Sequence, residues 1–248
     1  MTDAAISDRL IAKGWEIFKA DKKPIEFTDD RGANDLLNDL AKHPHAFVLA
    51  CIMDRQITAR LAWLIPYRIK QKLDDFSIAT LKKLSPSDIK RLMTKPKPLH
   101  RFAAKMSKLL HSGIQRIVTE YDGDASGIWR DQSSSALVVY RFLEFDGIGP
   151  KIATMAANIL AREFKVRMAD HYSIDVSADV HVRRVFSRLG LCEEGADVNQ
   201  VVYKARALYP EFPGIFDSPC WHIGQNWCRP RKPKCKECYM SDLCPSAL

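Results

Sequence analysis

Apolar residues recur at three- and four-residue steps along most of this chain, the period of helices that turn one face into a core. Over 46–65, AFVLACIMDRQITARLAWLI, that spacing predicts a buried helix. Ser85-Pro86-Ser87-Asp88 predicts a helix start, with Ile89, Leu92 and Met93 on one face. The run 99–121 predicts a long amphipathic helix with Lys105, Lys108 and Arg116 outside its apolar stripe. Shorter helical patterns fall at 135–145, 150–164, 180–189 and 197–208. Alternating β-branched runs are scarce, and residues 165–178 are expected to be irregular or briefly extended. The prediction is an all-α protein with no solenoid period and no low-complexity linker.

Composition narrows this further. A chain of 248 residues, 46% hydrophobic and 27% charged, is long enough for one large domain or two modest ones with their own cores. It has no stretch of about 18 apolar residues to span a bilayer. Its start, MTDAAISDRLIAKGWEIF, lacks the basic opening and apolar run of a secretory signal. The expectation is an intracellular protein with no membrane partner, in the cytoplasm or nucleoid if prokaryotic. A net charge of +8 and a pI near 9.1 attract polyanions, of which nucleic acid is the commonest inside cells. Proteins of this size that bind no nucleic acid also carry such charge.

Three turn-rich points divide the chain: Lys95-Pro96-Lys97-Pro98, Asp122 to Gly127, and Asp146-Gly147-Ile148-Gly149-Pro150. The third sits inside FLEFDGIGPKIATMAANIL, which predicts helix, tight turn, helix. Gly147 and Gly149 permit positive φ and a close approach of backbone to another surface. Pro150 suits the first turn of the next helix, where its missing N–H costs nothing. The amides opening that helix favour an anion such as a DNA phosphate, although a plain helical corner has the same sequence.

This turn and its apolar flanks resemble the helix–hairpin–helix of the base-excision DNA glycosylase superfamily. The resemblance implies that the hairpin grips the DNA backbone beside a lesion, positioning the protein without reading sequence. Lys151 stands where lyase-competent members carry their nucleophile. An ammonium at a helix N-terminus meets the positive end of the dipole, which favours the neutral amine, and a neutral lysine attacks a sugar C1′ to form a Schiff base. The alternative is a lysine that only contacts phosphate.

Downstream, DVSADVHVRRVFSRLGL over 175–191 predicts a helix capped by Ser177 or Asp179, with Val182, Val185, Phe186 and Leu189 on its apolar face. The pattern Ala-Asp179-Val-His181-Val-x-Arg184-Val is similar to the segment that carries the superfamily's catalytic aspartate. That likeness implies that Asp179 assists departure of the base, by stabilising positive charge on the sugar or activating the attacking group, with His181 and Arg184 near DNA. Arg183 and Arg184 either touch phosphate or face water. The 27 residues between Lys151 and Asp179 outnumber those of the compact endonuclease III type, and the surplus falls in AREFKVRMADHYSI, 161–174. His171 and Tyr172 there have rings able to stack on a flipped base, or serve to anchor the loop.

Four of the seven cysteines crowd into the last 21 residues: Cys228, Cys235, Cys238 and Cys244. An odd count without a secretion signal argues against a disulfide framework and for metal. Four thiolates suit either a tetrahedral zinc or a cubane cluster, and spacing alone leaves both open. The loop, with RPRKPK inside it and DLC at its end, looks like the [4Fe-4S] loop of the endonuclease III and adenine-glycosylase branch, which implies that cofactor. Arg229, Arg231, Lys232, Lys234 and Lys236 make it basic, so the implied cluster would hold a positive loop, Arg231 and Lys232 included, against DNA. Cys51, Cys192 and Cys220 are expected to be buried thiols outside the pattern.

At the front, CIMDRQITARLAW, 51–63, resembles the family's helix whose polar residue fills the gap left by the flipped nucleotide; Gln56 matches it. Leu99 and His100 follow KPKP where the family places an apolar wedge between bases. The resemblance covers about 40–248. It implies two all-α lobes: a helical barrel, 43–163, ending in the hairpin at about 136–163, and a second lobe of 1–42 with 164–248, including the loop 228–244. DNA and the flipped base would lie in the cleft between them, with Lys151 and Asp179 facing each other. The implied partner is duplex DNA with a damaged or mismatched base, bound by a monomer. Three activities follow: a bifunctional glycosylase and abasic-site β-lyase, a monofunctional glycosylase using Asp179 alone, or a non-catalytic iron–sulfur DNA-binding protein.

Overall fold

A computed structural model describes residues 3–247, which contain helices and loops and no strand among the described residues. In chain order the α-helices are α1 (Asp3–Lys19), α2 (Arg31–Asn38), α3 (Pro44–Met53), α4 (Ala59–Lys70), α5 (Ile78–Leu81), α6 (Pro86–Thr94) and α7 (Ala103–Glu120). After them come α8 (Ser135–Leu143), α9 (Pro150–Arg162), α10 (Val180–Arg188), α11 (Val198–Leu208) and α12 (Asp217–Asn226). The all-α expectation holds, and 165–178 has no regular structure.

The chain divides into two units. A hairpin unit comprises Lys23–Ser133 and Tyr140–Ala153; a thiol-loop unit comprises the described residues of Met1–Lys22, Ser134–Val139 and Thr154–Leu248. This differs from a division at residues 43 and 163. Residues 23–42 join the hairpin unit because the Phe27 ring packs tilted against Trp63 with centroids 4.7 Å apart and α2 packs on α4. The second half of α9 joins the thiol-loop unit, where Asn158 donates from Nδ2 to the Gly214 carbonyl at 3.0 Å.

In the hairpin unit, α3 is buried along its whole length, every residue from Pro44 to Met53. Around it lie Trp63 from α4, Trp129 and Phe142, with ring centroids 5.7 to 6.5 Å from Phe47. The helix expected over 46–65 is therefore two helices. Apolar periodicity runs through Asp54–Thr58, but Asp54 ends α3 and extended Thr58 begins α4. Helix α6 starts where the sequence indicates: Ser85 accepts from the Asp88 amide while Asp88 accepts from the Ser85 amide, a closed pair of caps. The core of the thiol-loop unit is separate, built on Phe186, Phe212 and Phe216 with α1, α10 and α12.

Candidate functional site

Within the hairpin unit, the predicted corner is a tight turn on a rigid seat. Phe145 and Ile148 are buried anchors on either side of Gly147. Gly147 has φ +92°, which favours glycine, and a Cβ there would lie 2.7 Å from Leu109 Cδ1, so that side chain would have to shift. Gly149 has neither constraint: no positive φ and nothing within 4 Å of a built Cβ. Three side chains hold the turn. Arg55 Nη1 donates to the Gly147 carbonyl at 3.0 Å, Ser112 Oγ donates to Asp146 at 2.6 Å, and Arg116 pairs with Glu144 at 3.7 Å. Pro150 opens α9, and Lys151 is exposed in its first turn.

Arg55 belongs to the turn between α3 and α4, which also carries Gln56. Gln56 is exposed and sits on this turn rather than on a helix, in the left-handed region at φ +54°. For a non-glycine residue that conformation persists only where its surroundings impose it. His100 imposes it in part. It is 3% exposed, its Nδ1 accepts from the Phe102 amide at 3.0 Å, and its Nε2 faces the Arg55 carbonyl at 3.1 Å. A ring nitrogen that accepts carries no proton, so Nε2 is the donor and the ring is neutral. Burial, the largest influence, lowers the His100 pKa and favours the same form. His100 is thus a buried clasp rather than a surface DNA contact. Leu99 is half-buried, whereas Phe102 is 40% exposed under the Arg101 guanidinium. Asp54, on the same turn, was not among the sequence candidates. Burial raises its pKa, and the positive charge of Lys151 opposes the shift.

The thiol-loop unit holds the other candidates. Asp179 is the N-cap of α10: its Oδ1 accepts from the amides of His181 and Val182 at 2.8 and 2.9 Å, and Oδ2 makes neither bond. Arg184 is spent internally. Its Nε donates to the Cys228 carbonyl at 2.6 Å, and Nη2 bonds the Gly224 carbonyl at 3.0 Å and His181 Nδ1 at 2.9 Å. Arg183 bonds the Ala196 carbonyl. Arg184 thus ties α10 to the start of the thiol loop and to α12, while Arg183 ties it to the segment before α11. His181 is half-buried between Arg184 and Gln225, and a Cβ on Gly224 would come within 2.7 Å of His181 Cβ.

Cys228, Cys235, Cys238 and Cys244 line one cavity of about 310 Å³, together with Arg188, Leu189 and Trp227. All four thiols are free. Arg188, absent from the sequence candidates, joins both ends of the loop. Its Nη1 lies 3.4 Å from Cys228 Sγ and donates to the Arg229 carbonyl at 2.8 Å, while its own carbonyl accepts from Cys244 Sγ at 3.4 Å. Burial pushes the Cys238 and Cys244 thiols up. Among the described residues no group of three or more His, Cys, Asp and Glu side chains is placed to hold a metal ion. Arg231 and Lys232 are exposed on the loop. As expected, Cys51 and Cys220 are buried; Cys192 is half-buried. In the long 161–174 segment His171 stacks on Phe212 at 4.7 Å and is a loop anchor, while Tyr172 is 62% exposed.

No family model matches the chain. Over 154 residues it is 28% identical to endonuclease III of Synechocystis sp., covering 59% of this chain and 58% of that one. A trapped endonuclease III–DNA covalent intermediate superposes with a TM-score of 0.63 at 16% identity, over 100% of this chain and 98% of the other. The chain is thus similar in sequence to endonuclease III-type proteins and shares the all-α fold of these solved structures. A thermostable thymine-DNA glycosylase shares the fold, with a TM-score of 0.64 at 18% identity over 99% of both chains. The chain spans between two fifths and three fifths of the length of the curated endonuclease III-type relatives it matches. No helix among the described residues is long and apolar enough to cross a membrane.

Proposed function

We propose that the protein is a base-excision DNA glycosylase, acting as a monomer on duplex DNA that contains a damaged or mismatched base. The observation that carries the reading is the seated hairpin: Gly147 is locked by Arg55 and Leu109, and the turn delivers Lys151, exposed, in the first turn of α9. In the proposed reaction the Lys151 amine attacks C1′, the C1′–N bond breaks, and the base leaves with a proton. The aminal opens to a Schiff base on Lys151. Loss of a C2′ proton then expels the 3′ phosphate by β-elimination, and hydrolysis frees the lysine. Asp179 serves through the carboxylate oxygen not used in capping, stabilising positive charge as the sugar loses its base. Gln56, on its constrained turn, fills the vacated space in the duplex.

The thiol cavity fits a [4Fe-4S] cluster. Four free cysteines line a partly open cavity of about 310 Å³, whereas zinc would draw the sulfurs to about 2.3 Å from one point. Cys228, Cys235, Cys238 and Cys244 would hold the cluster, and its contribution is to order a loop that carries exposed Arg231 and Lys232.

The monofunctional reading draws on one observation, the exposure of Lys151, which suits a phosphate contact equally well. Base release from a panel of lesion duplexes, with and without hot alkali, separates the readings. The bifunctional enzyme leaves strands already nicked before alkali. The monofunctional one leaves intact abasic strands that alkali cuts. Asp179→Asn is expected to lower base release by at least about a hundredfold in either case. Release of no base from any lesion would end the glycosylase reading.

A further inference from the structure

The excess positive charge of this chain is gathered in one stretch of its sequence. Residues 68–108 hold twelve lysines and arginines against three aspartates, while the other 207 residues hold 26 basic and 27 acidic side chains. The entire excess therefore lies in 41 consecutive residues, all within the hairpin unit. They run from the end of α4 through α5 and α6 into the start of α7.

Few of these charges are used internally. Arg91 pairs with Asp88 at 2.7 Å, and Arg68 lies 4.0 Å from Asp30. Lys72 turns its amine onto the carbonyls of Leu92 and Lys95, at 2.5 and 2.7 Å. Lys70 is half-buried near His43, and Arg101 lies over the Phe102 ring. The seven that remain, Lys82, Lys83, Lys90, Lys95, Lys97, Lys105 and Lys108, are all exposed. None of their amines has a hydrogen-bond or ion-pair partner among the described residues. So many unneutralised cations repel one another unless a polyanion lies across them.

The surrounding structure says which polyanion. A membrane-binding helix turns an apolar face to lipid. Here the apolar faces of α6 and α7, carrying Ile89, Met93, Met106 and Leu110, are buried in the core. The basic segment also runs directly into Leu99–Phe102, whose His100 is fastened to the Gln56 turn. A duplex probed at Gln56 has a flank to offer.

We infer that residues 82–108 are a backbone rail, holding phosphates of the undamaged DNA beside the lesion and supplying most of the protein's sequence-independent affinity. The inference rests on the DNA reading above and adds to it the location of the non-specific grip, on the hairpin unit rather than in the thiol loop. Each phosphate so neutralised releases counterions and steepens the dependence of binding on salt by about 0.9 in log–log slope.

The test is fluorescence-anisotropy binding of the full-length protein to a lesion-free duplex over a salt series. Lys82→Gln, Lys83→Gln and Lys90→Gln are combined, since none belongs to the proposed catalytic or lesion-probing set. The expected slope is shallower by about 2 to 3, with at least about tenfold weaker binding at moderate salt. Base release by enzyme saturating a lesion duplex stays unchanged. The matching Lys→Arg variant keeps the wild-type slope, which separates lost charge from misfolding. A slope unaltered by the Gln variant, while the wild-type protein binds duplex, would overturn the inference and leave the glycosylase reading standing. Failure of the wild-type protein to bind any duplex would remove both. Binding to vesicles of anionic lipid but not to duplex would overturn the inference in favour of a membrane surface.

Discussion

The basic side chains of α10 and those of residues 82–108 look alike in sequence and are used in opposite ways. Arg183, Arg184 and Arg188 are half-buried and spend their donors on carbonyls and a thiol of their own unit. Lys82, Lys83, Lys90, Lys105 and Lys108 stand in water with no partner among the described residues. The difference follows from what each region must support. The thiol loop has one fully buried large apolar side chain, Met240, and needs arginine forks to tie its ends to α10. Helices α6 and α7 are already held by their apolar faces, so their cations are free to act outward.

The largest effect that would sharpen this contrast comes from the proposed cluster. Purified protein is expected to contain about four irons per chain and a visible sulfur-to-iron charge-transfer band. Cys235→Ser should abolish both and strip hydrogen-exchange protection from 228–244, leaving α6 and α7 protected. Zinc in place of iron would contradict the assignment. Next in size, Arg184→Ala leaves the Cys228 and Gly224 carbonyls without their donor. It should cost about 3 kcal/mol in denaturant unfolding while leaving the salt slope of duplex binding unchanged. A large change in slope with little loss of stability would erase the distinction between the two regions.

Gly147→Ala combines a positive φ with a 2.7 Å approach to Leu109, and is expected to cost about 1–3 kcal/mol and to weaken lesion binding. Gly149→Ala meets no such contact and should be close to neutral for stability. The smallest effect is a pH dependence. Burial holds the His100 pKa below its ordinary value, so the unfolded chain takes up the proton first. The stability given by neutral His100 is full above about pH 6.5 and is lost as pH falls through its lower folded value. Thermal unfolding from pH 8 to 5 should show His100→Gln losing up to one proton's worth of that slope. An unchanged slope would mean that the clasp does not depend on a neutral ring.

Much of the architecture was legible because local signals agreed. Ser85 and Asp179 cap the helices they were expected to cap, and the helical patterns at 135–145, 150–164, 180–189 and 197–208 each correspond to an observed helix. The break at Asp54–Thr58 was hidden because α3 is buried on all sides, so its apolar residues show no stripe whose end can be seen. The long helix expected from 99 begins at Ala103, since His100 takes the Phe102 amide. Cysteine spacing identified the four thiols of the cavity, but nothing local marks Arg188, whose partner Cys228 lies 40 residues away. Likewise, His100 and Arg184 have the chemistry of DNA ligands; only the burial of His100 and the carbonyls that both meet show their internal bonds.

The central claim, that Lys151 attacks the sugar of a flipped nucleotide, is tested most directly by borohydride trapping. Protein is mixed with lesion duplex and reductant, and denaturing gels are read for a covalent complex. The account predicts a trapped species in the wild-type protein that is missing from Lys151→Ala, with Lys151 as the modified residue in peptide mass spectra. Base release with no trapped species, or a species that survives Lys151→Ala, would contradict it.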